Sequence, residues 1–261
     1  MTEEAELFEQ ALKKGVHACV ERYLSTRSDL AGKVVVDLAC GDGRTTALLQ
    51  ALGARVLAFD LFPESCKLKD PPQFADVQQP LPISSGSVDM VVLQEVIEHL
   101  PNQLLTLQEI CRILKPGGEL LLTTPSRSSL EGRLSYLCFE SEHLRATPWG
   151  GVSSGVWGDQ GDGRKYYGHL WLIGIQQLNA LASIAGFRSL EVLRSDVSKS
   201  SVVLFCFFYP LILLISLRAL YRDLRHQEKG GALYREKWTQ WRLNVHPRHL
   251  INRHLIALLR K

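Results

Sequence analysis

The chain of 261 residues is 46% hydrophobic and 22% charged, enough apolar content to bury one large core and an ordinary balance for a globular protein. Its six scattered cysteines, Cys19, Cys40, Cys66, Cys111, Cys138 and Cys206, include no CxxC pair, which argues against a zinc site or a disulfide framework and for reduced, packed thiols. The net charge of +3 is unevenly spread: residues 218–261 hold eleven Lys/Arg against three Asp/Glu, and residues 1–217 are net acidic, so a basic tail needs its own explanation.

Residues 1–9 carry four glutamates and no apolar run, unlike a secretory or transit signal, and the expected compartment is the cytosol. From Glu3 to Leu24, Leu7, Leu12, Val16, Cys19, Val20 and Tyr23 recur near helical spacing among charges. This predicts an amphipathic helix within a cap over residues 1–30, covering the sheet edge or a cofactor cleft.

From residue 33 strands alternate with helices. Lys33–Leu38, Arg55–Phe59, Val88–Leu93 and Glu119–Thr124 read as strands, and Thr45–Leu52 and Leu104–Leu114 as helices. Runs such as Val34-Val35-Val36 are continuously apolar, as expected of strands covered by helices on both faces of a parallel sheet. The pattern predicts an α/β, doubly wound fold. Lys115-Pro116-Gly117-Gly118 makes a sharp turn before the strand at Glu119. Residues 126–169, rich in Gly, Ser and Trp, read as a long substrate loop. Leu170–Ala185 then reads as a helix ended by Gly186, and Phe187–Leu193 and Ser201–Phe208 as an antiparallel hairpin.

Residues 34–49, VVVDLACGDGRTTALL, form the strongest signal: an apolar strand with an acid near its end, a Gly-x-Gly turn and a helix. Gly41 and Gly43 permit a tight turn and close approach of a ligand to the backbone. Thr46 replaces the third glycine of the dinucleotide fingerprint, and Asp42 sits where a pyrophosphate would need neutral or positive surroundings; both favour a cofactor without phosphates. Asp60 ends the second strand, where a carboxylate can accept both ribose hydroxyls of an adenosyl group. Asp76 can accept the adenine amino group, with Val77 packed on the ring.

Together these motifs resemble class I methyltransferases that use S-adenosylmethionine (SAM), of the type 11/23 kind that includes ubiquinone-biosynthesis O-methyltransferases. VDLACGDG, Asp60, Asp76–Val77 and CRILKPGGELLLTTPS stand in the family's order and spacing over about residues 30–193. The resemblance implies a seven-stranded, mostly parallel sheet with an antiparallel last strand, and SAM as cofactor. It places Asp37, Ala39, Gly41 and Gly43 on the methionine side of SAM, Asp60 with Leu61 at the ribose, and Gln94 beside the sulfonium.

Glu95-Val-Ile-Glu98-His99 sets two carboxylates and an imidazole at i, i+3 and i+4, on one face of a helical turn. Such a set can bind Mg²⁺ or Mn²⁺. It resembles the metal-binding segment of some ubiquinone O-methyltransferases and of small-RNA 2′-O-methyltransferases, and His143 and His169 are candidates to complete it. The competing reading makes His99 a local packing group or, with Glu98, a general base without metal.

Val202–Leu217 is uncharged, short of the ~20 residues that span a bilayer. Its first part reads as a buried strand and Leu211–Leu220 as an apolar helix leading into Arg218, Arg222, Arg225 and Lys229. The expected layout is a methyltransferase domain over 1–208 and an apolar, basic extension over 209–261, with in-plane contact to anionic lipid. The expected activity is O-methylation of a small-molecule, lipid-linked, quinone-like or glycan acceptor. The rivals are a metal-dependent RNA methyltransferase and a non-catalytic membrane or complex adaptor; Tyr234, Trp238 and Trp241 among basic residues are the one feature pointing to nucleic acid.

Overall fold

A computed structural model describes residues 15–140, 167–225 and 227–261. A mixed sheet of seven strands runs in the order β3-β2-β1-β4-β5-β7-β6. The strands are β1 (Val34–Leu38), β2 (Arg55–Asp60), β3 (Gln73–Phe74), β4 (Val88–Gln94), β5 (Leu114–Pro125), β6 (Ser189–Val192) and β7 (His254–Arg260). The first five pair in parallel, and β7 is antiparallel to both β5 and β6, as the class I resemblance implies.

Side chains alternate across this sheet with a period of two. Val36, Leu38, Val91, Leu93, Leu120 and Leu122 enter one core layer with α3 (Gln103–Ile113) and α5 (Ile175–Ala185). Val35, Met90, Val92 and Leu121 enter the other, against α1 (Val16–Ser25) and α2 (Arg44–Ala51). With both faces covered, the strands must be apolar throughout. The predicted cap helix thus lies on a sheet face through Val16, Cys19, Val20 and Leu24; its residues 3–14 fall outside the described ones.

Local chemistry sets the element ends. Asn102 caps α3 by accepting the Leu105 N–H at 3.2 Å, and Gly186 ends α5 in the left-handed region at φ 106°. The Pro116-Gly117-Gly118 turn lies inside the span of β5, where pairing with β4 jumps from Val88↔Leu114 to Met90↔Glu119.

Three expectations are corrected. Residues 126–169 are not irregular throughout, because Ser129 caps α4 (Leu130–Phe139) by accepting the Gly132 N–H at 3.0 Å; residues 141–166, His143 among them, lie outside the described ones. Residues 201–208 are no strand. They belong to α6 (Lys199–Leu224), started by Ser198 accepting the Ser201 N–H and running through Pro210. Branched and aromatic content is a weak prior for strand, and here Val202, Val203, Phe207 and Phe208 are exposed rather than packed on a sheet.

The place next to β6 is filled by β7, drawn from the stretch expected to be a basic extension. Leu255, Ile256, Ala257, Leu258 and Leu259 are all buried, so the core is closed only by the last residues of the chain. Between α6 and β7, α7 (Ala232–Val245) and the short α8 (Pro247–Ile251) fold back over α6.

Candidate active site

The cleft opens where β1 and β4 lie side by side while their following helices go to opposite faces of the sheet, the switch point at which open α/β sheets bind ligands. After β1 the backbone enters the left-handed region at Ala39 (φ 59°), Gly41 (φ 55°) and Gly43 (φ 84°). These turns aim the Gly41 N–H across to β2, where it donates to Asp60 Oδ2 at 2.8 Å; the Phe62 N–H donates to Oδ1 at 2.8 Å. Each oxygen of Asp60 keeps a lone pair for a further donor.

A Cβ on Gly41 would meet no heavy atom within 4 Å, whereas one on Gly43 would strike Leu68 at 2.5 Å. Gly41 therefore faces open space, and Gly43 lets the loop pack.

That space is a cavity of about 460 Å³ lined by Ala39, Gly41, Asp60, Leu61, Asp76, Val77, Gln94, Glu95 and His99. The Asp76 carboxylate accepts the Gln78 N–H at 2.9 Å, which fixes its orientation. Gln94 donates from Nε2 to Thr45 Oγ1 at 2.7 Å, and its buried Oε1 has no hydrogen-bond partner among the described residues. An orphaned buried acceptor is costly unless a ligand donor satisfies it. The open face of Gly41, the lone pairs of Asp60 and this carbonyl all fit an adenosyl ligand with an amino-acid tail.

Two predicted residues lie behind the wall. Asp37 is buried and accepts from Thr46 Oγ1 at 2.6 Å; burial pushes its carboxyl up to about 6, with Asp60 adding to the rise. Gly43 is likewise absent from the lining. Both shape the loop from beneath. Sequence reasoning missed His17 and Tyr167, which also line the cavity and carry no motif.

A family model described as a methyltransferase domain matches residues 6–192. The chain belongs to this methyltransferase family. A ubiquinone biosynthesis O-methyltransferase of Xanthomonas oryzae pv. oryzae is 37% identical over 116 residues, and one of Xanthomonas euvesicatoria pv. vesicatoria is 36% identical over the same length. Each match covers 41% of this methyltransferase-family chain and 48% of the relative, so the likeness spans about half the length of either relative. The fold also matches a SAM-dependent methyltransferase of Archaeoglobus fulgidus, with TM-score 0.54 at 16% identity over 98% of this chain and 99% of that one. A SAM-dependent methyltransferase of Thermotoga maritima gives TM-score 0.51 at 13% identity over 93% and 89% of the two chains.

At the cavity's far side, Ile97–His99 forms a 3₁₀ turn after β4. Ligand atoms of Glu98, His99 and His169 lie within 4.8 Å of one another, and the two imidazoles stand edge to face with centroids 4.7 Å apart. Glu98 is wholly buried; Thr124 Oγ1 donates to its Oε2 at 2.9 Å, and its Oε1 has no hydrogen-bond partner among the described residues. Burial pushes its carboxyl up to about 8, the Glu95 charge adding to the rise.

Glu95 departs from the expected ligand set. Its backbone is left-handed, φ 50°, and its carboxylate accepts from Thr123 Oγ1 at 2.8 Å and approaches His254 Nε2 at 3.6 Å. The i, i+3 argument presumed a helical turn beginning at Glu95, but the turn begins at Ile97. The convergent trio is Glu98, His99 and His169.

Proposed function

We propose that this protein is a SAM-dependent methyltransferase that methylates a hydroxyl oxygen of a small acceptor, of lipid-linked, quinone-like or glycan type. The observation that carries the reading is the Gly41–Asp60 hydrogen bond on the wall of a cavity whose open face a glycine keeps clear. Family membership and the O-methyltransferase named among the relatives support the reaction type.

SAM supplies a methyl carbon already activated by its sulfonium, so the protein's work is alignment. Asp60 would receive the ribose hydroxyls, Asp76 the adenine amino group with Val77 against the ring, and Gln94 Oε1 a donor from the methionine part. Asp37 acts as a positioning residue: through Thr46 it holds the start of α2, and with it the loop of Ala39 and Gly41.

His99 is the base in this account. Its Nδ1 lies 2.5 Å from the Tyr167 carbonyl oxygen; a carbonyl only accepts, so Nδ1 carries the hydrogen and Nε2 presents a lone pair. That nitrogen can take the proton of an acceptor hydroxyl. Glu98 Oε1 lies 3.9 Å from that nitrogen, and burial, by holding the Glu98 carboxyl protonated near neutrality, keeps a second negative charge away from the transfer.

The same trio fits, as the alternative to a metal-free base, a divalent cation such as Mg²⁺ or Mn²⁺ that would hold Glu98 ionised: Glu98 Oε1 is buried without a hydrogen-bond partner among the described residues, and two imidazoles converge on it. A cation there would lower the acceptor hydroxyl's pKa. Labelled-methyl transfer from SAM to phenolic acceptors tests the reading: His99→Ala should reduce transfer roughly 10²- to 10⁴-fold, and unchanged transfer contradicts it.

A cytoplasmic protein touching an anionic membrane is the location we propose. α6 is long and apolar enough to cross a membrane, with mean hydropathy 2.3 and 6% of its most apolar stretch buried. Yet α7 packs along it, with Trp241 donating to Ser216 at 3.2 Å and Lys237 3.5 Å from Asp223, which favours lying in the interface over crossing. Phe207, Leu211 and Leu214 form a bare stripe, followed by Arg218, Arg222 and Arg225.

A further inference from the structure

A second chamber of about 170 Å³ adjoins the cofactor cavity, and Glu95 lines both. Its walls come from the end of β5, the first turns of α4 and the start of β7, with His169 on the side facing His99. His169 on its wall stands 4.7 Å, centroid to centroid, from His99, where the proposed methyl transfer takes place.

Two arginines give the chamber its character. Arg127 and Arg253 both line it, and the Ser126 N–H donates to the Arg253 carbonyl at 3.1 Å, which binds the two stretches of backbone together. Arg253 is held on its other side by its own N–H, which donates to the Asp196 carbonyl at 2.9 Å. Arg127 rests over the Tyr136 ring, 4.2 Å from its centroid, an arrangement that orients the planar guanidinium.

Neither guanidinium lies within 4.0 Å of a carboxylate among the described residues. The acids on the same walls are already engaged: Glu131 accepts from the Ser198 and Ser200 hydroxyls, and Glu95 from Thr123. Both arginines are exposed at the mouth of the chamber, on stretches of backbone joined by the Ser126–Arg253 bond, and guanidinium forks suit an oxyanion that bonds both.

We infer that this chamber is the acceptor's seat, and that Arg127 and Arg253 bind an anionic oxygen group, a carboxylate or a phosphate, on the far side of the acceptor from the hydroxyl that is methylated. The inference rests on the methyltransferase reading of the adjoining cavity. It narrows the acceptor to hydroxylated molecules that carry an acid.

Calorimetric binding to the full chain tests it with three probes of one shape: 4-hydroxybenzoate, 4-hydroxyphenyl phosphate and the neutral 4-methylphenol. At least one anion should bind roughly tenfold or more tightly than the neutral probe, and Arg127→Gln or Arg253→Gln should each remove roughly tenfold of that preference. The tighter of the two anions identifies carboxylate or phosphate. Equal binding of all three, no binding of either anion, or an anion preference untouched by both substitutions overturns the inference. SAM titrated into the same samples separates the two claims: a wild-type chain that fails to bind SAM defeats the methyltransferase reading, whereas lost anion preference with SAM binding intact defeats the inference about the chamber alone.

Discussion

The Gly41 N–H and the Asp60 carboxylate meet at 2.8 Å, joining the ends of two adjacent parallel strands that are nineteen residues apart in sequence. The bond fixes one oxygen of Asp60 and leaves the cavity-facing lone pairs for a ligand. Ala39 shares the cost of the geometry by taking φ 59° without being glycine, a strain of the kind that collects at binding sites.

The C-terminal strand is predicted to be indispensable. Removing residues 254–261 uncovers Leu255, Ile256, Leu258 and Leu259, all buried, at roughly 1.5–3 kcal/mol each, a loss comparable to the whole stability of a typical domain. The truncated chain should show no cooperative thermal transition by circular dichroism. A retained sharp transition contradicts the placement of β7.

How much of this was legible in sequence follows from where local chemistry decides structure. The strands from Val34 to Thr124 and the turn at Gly41 carry their own patterns, which point to the doubly wound fold and to Asp60 and Asp76; the seven-stranded sheet and the place of Gln94 come from the family resemblance those motifs carry. β7 was hidden because its short apolar run lies inside a basic stretch and is defined only by its partners β5 and β6. Residues 201–208 of α6 resemble a strand in sequence because exposed valines and phenylalanines on a helix have the composition of a buried strand. Glu95 was grouped with Glu98 because nothing in the sequence reveals a left-handed backbone at a glutamate.

Asp37 sets a pH dependence. Burial holds its carboxyl at about 6 against an ordinary 3.8. The folded chain therefore keeps this proton longer than the unfolded one, and stability is lost as pH rises from about 4 to about 6, by about 3 kcal/mol in all. Asp37→Asn, whose amide oxygen can still accept from Thr46, should flatten that decline in urea midpoints measured between pH 4 and 7. An identical decline in the variant contradicts the assignment.

The Glu98, His99 and His169 trio predicts stabilisation by a divalent cation. With Mn²⁺ at a hundredfold its dissociation constant the gain is about 2.7 kcal/mol, a rise of roughly 5–10 °C in melting temperature for a domain of this size. His169→Ala and Glu98→Gln should abolish the rise. The same rise in the variants places the cation elsewhere.

The outer stripe of α6 predicts binding to anionic lipid. Full-length protein should float with vesicles containing phosphatidylserine at low salt, and replacing Phe207, Leu211 and Leu214 together by serine should abolish flotation without lowering the melting temperature, since all three are exposed. Wild-type protein that stays with the soluble fraction contradicts a membrane role for this face.

Calorimetric titration of SAM into the full chain and into Asp60→Ala tests the central claim most directly. The wild type should bind one equivalent, and the variant, which loses charge-assisted hydrogen bonds of about 1.5–3 kcal/mol, should bind roughly ten- to a hundredfold more weakly. Equal affinity in the two proteins, or a wild type that binds no SAM, would contradict an adenosyl site between Gly41 and Asp60.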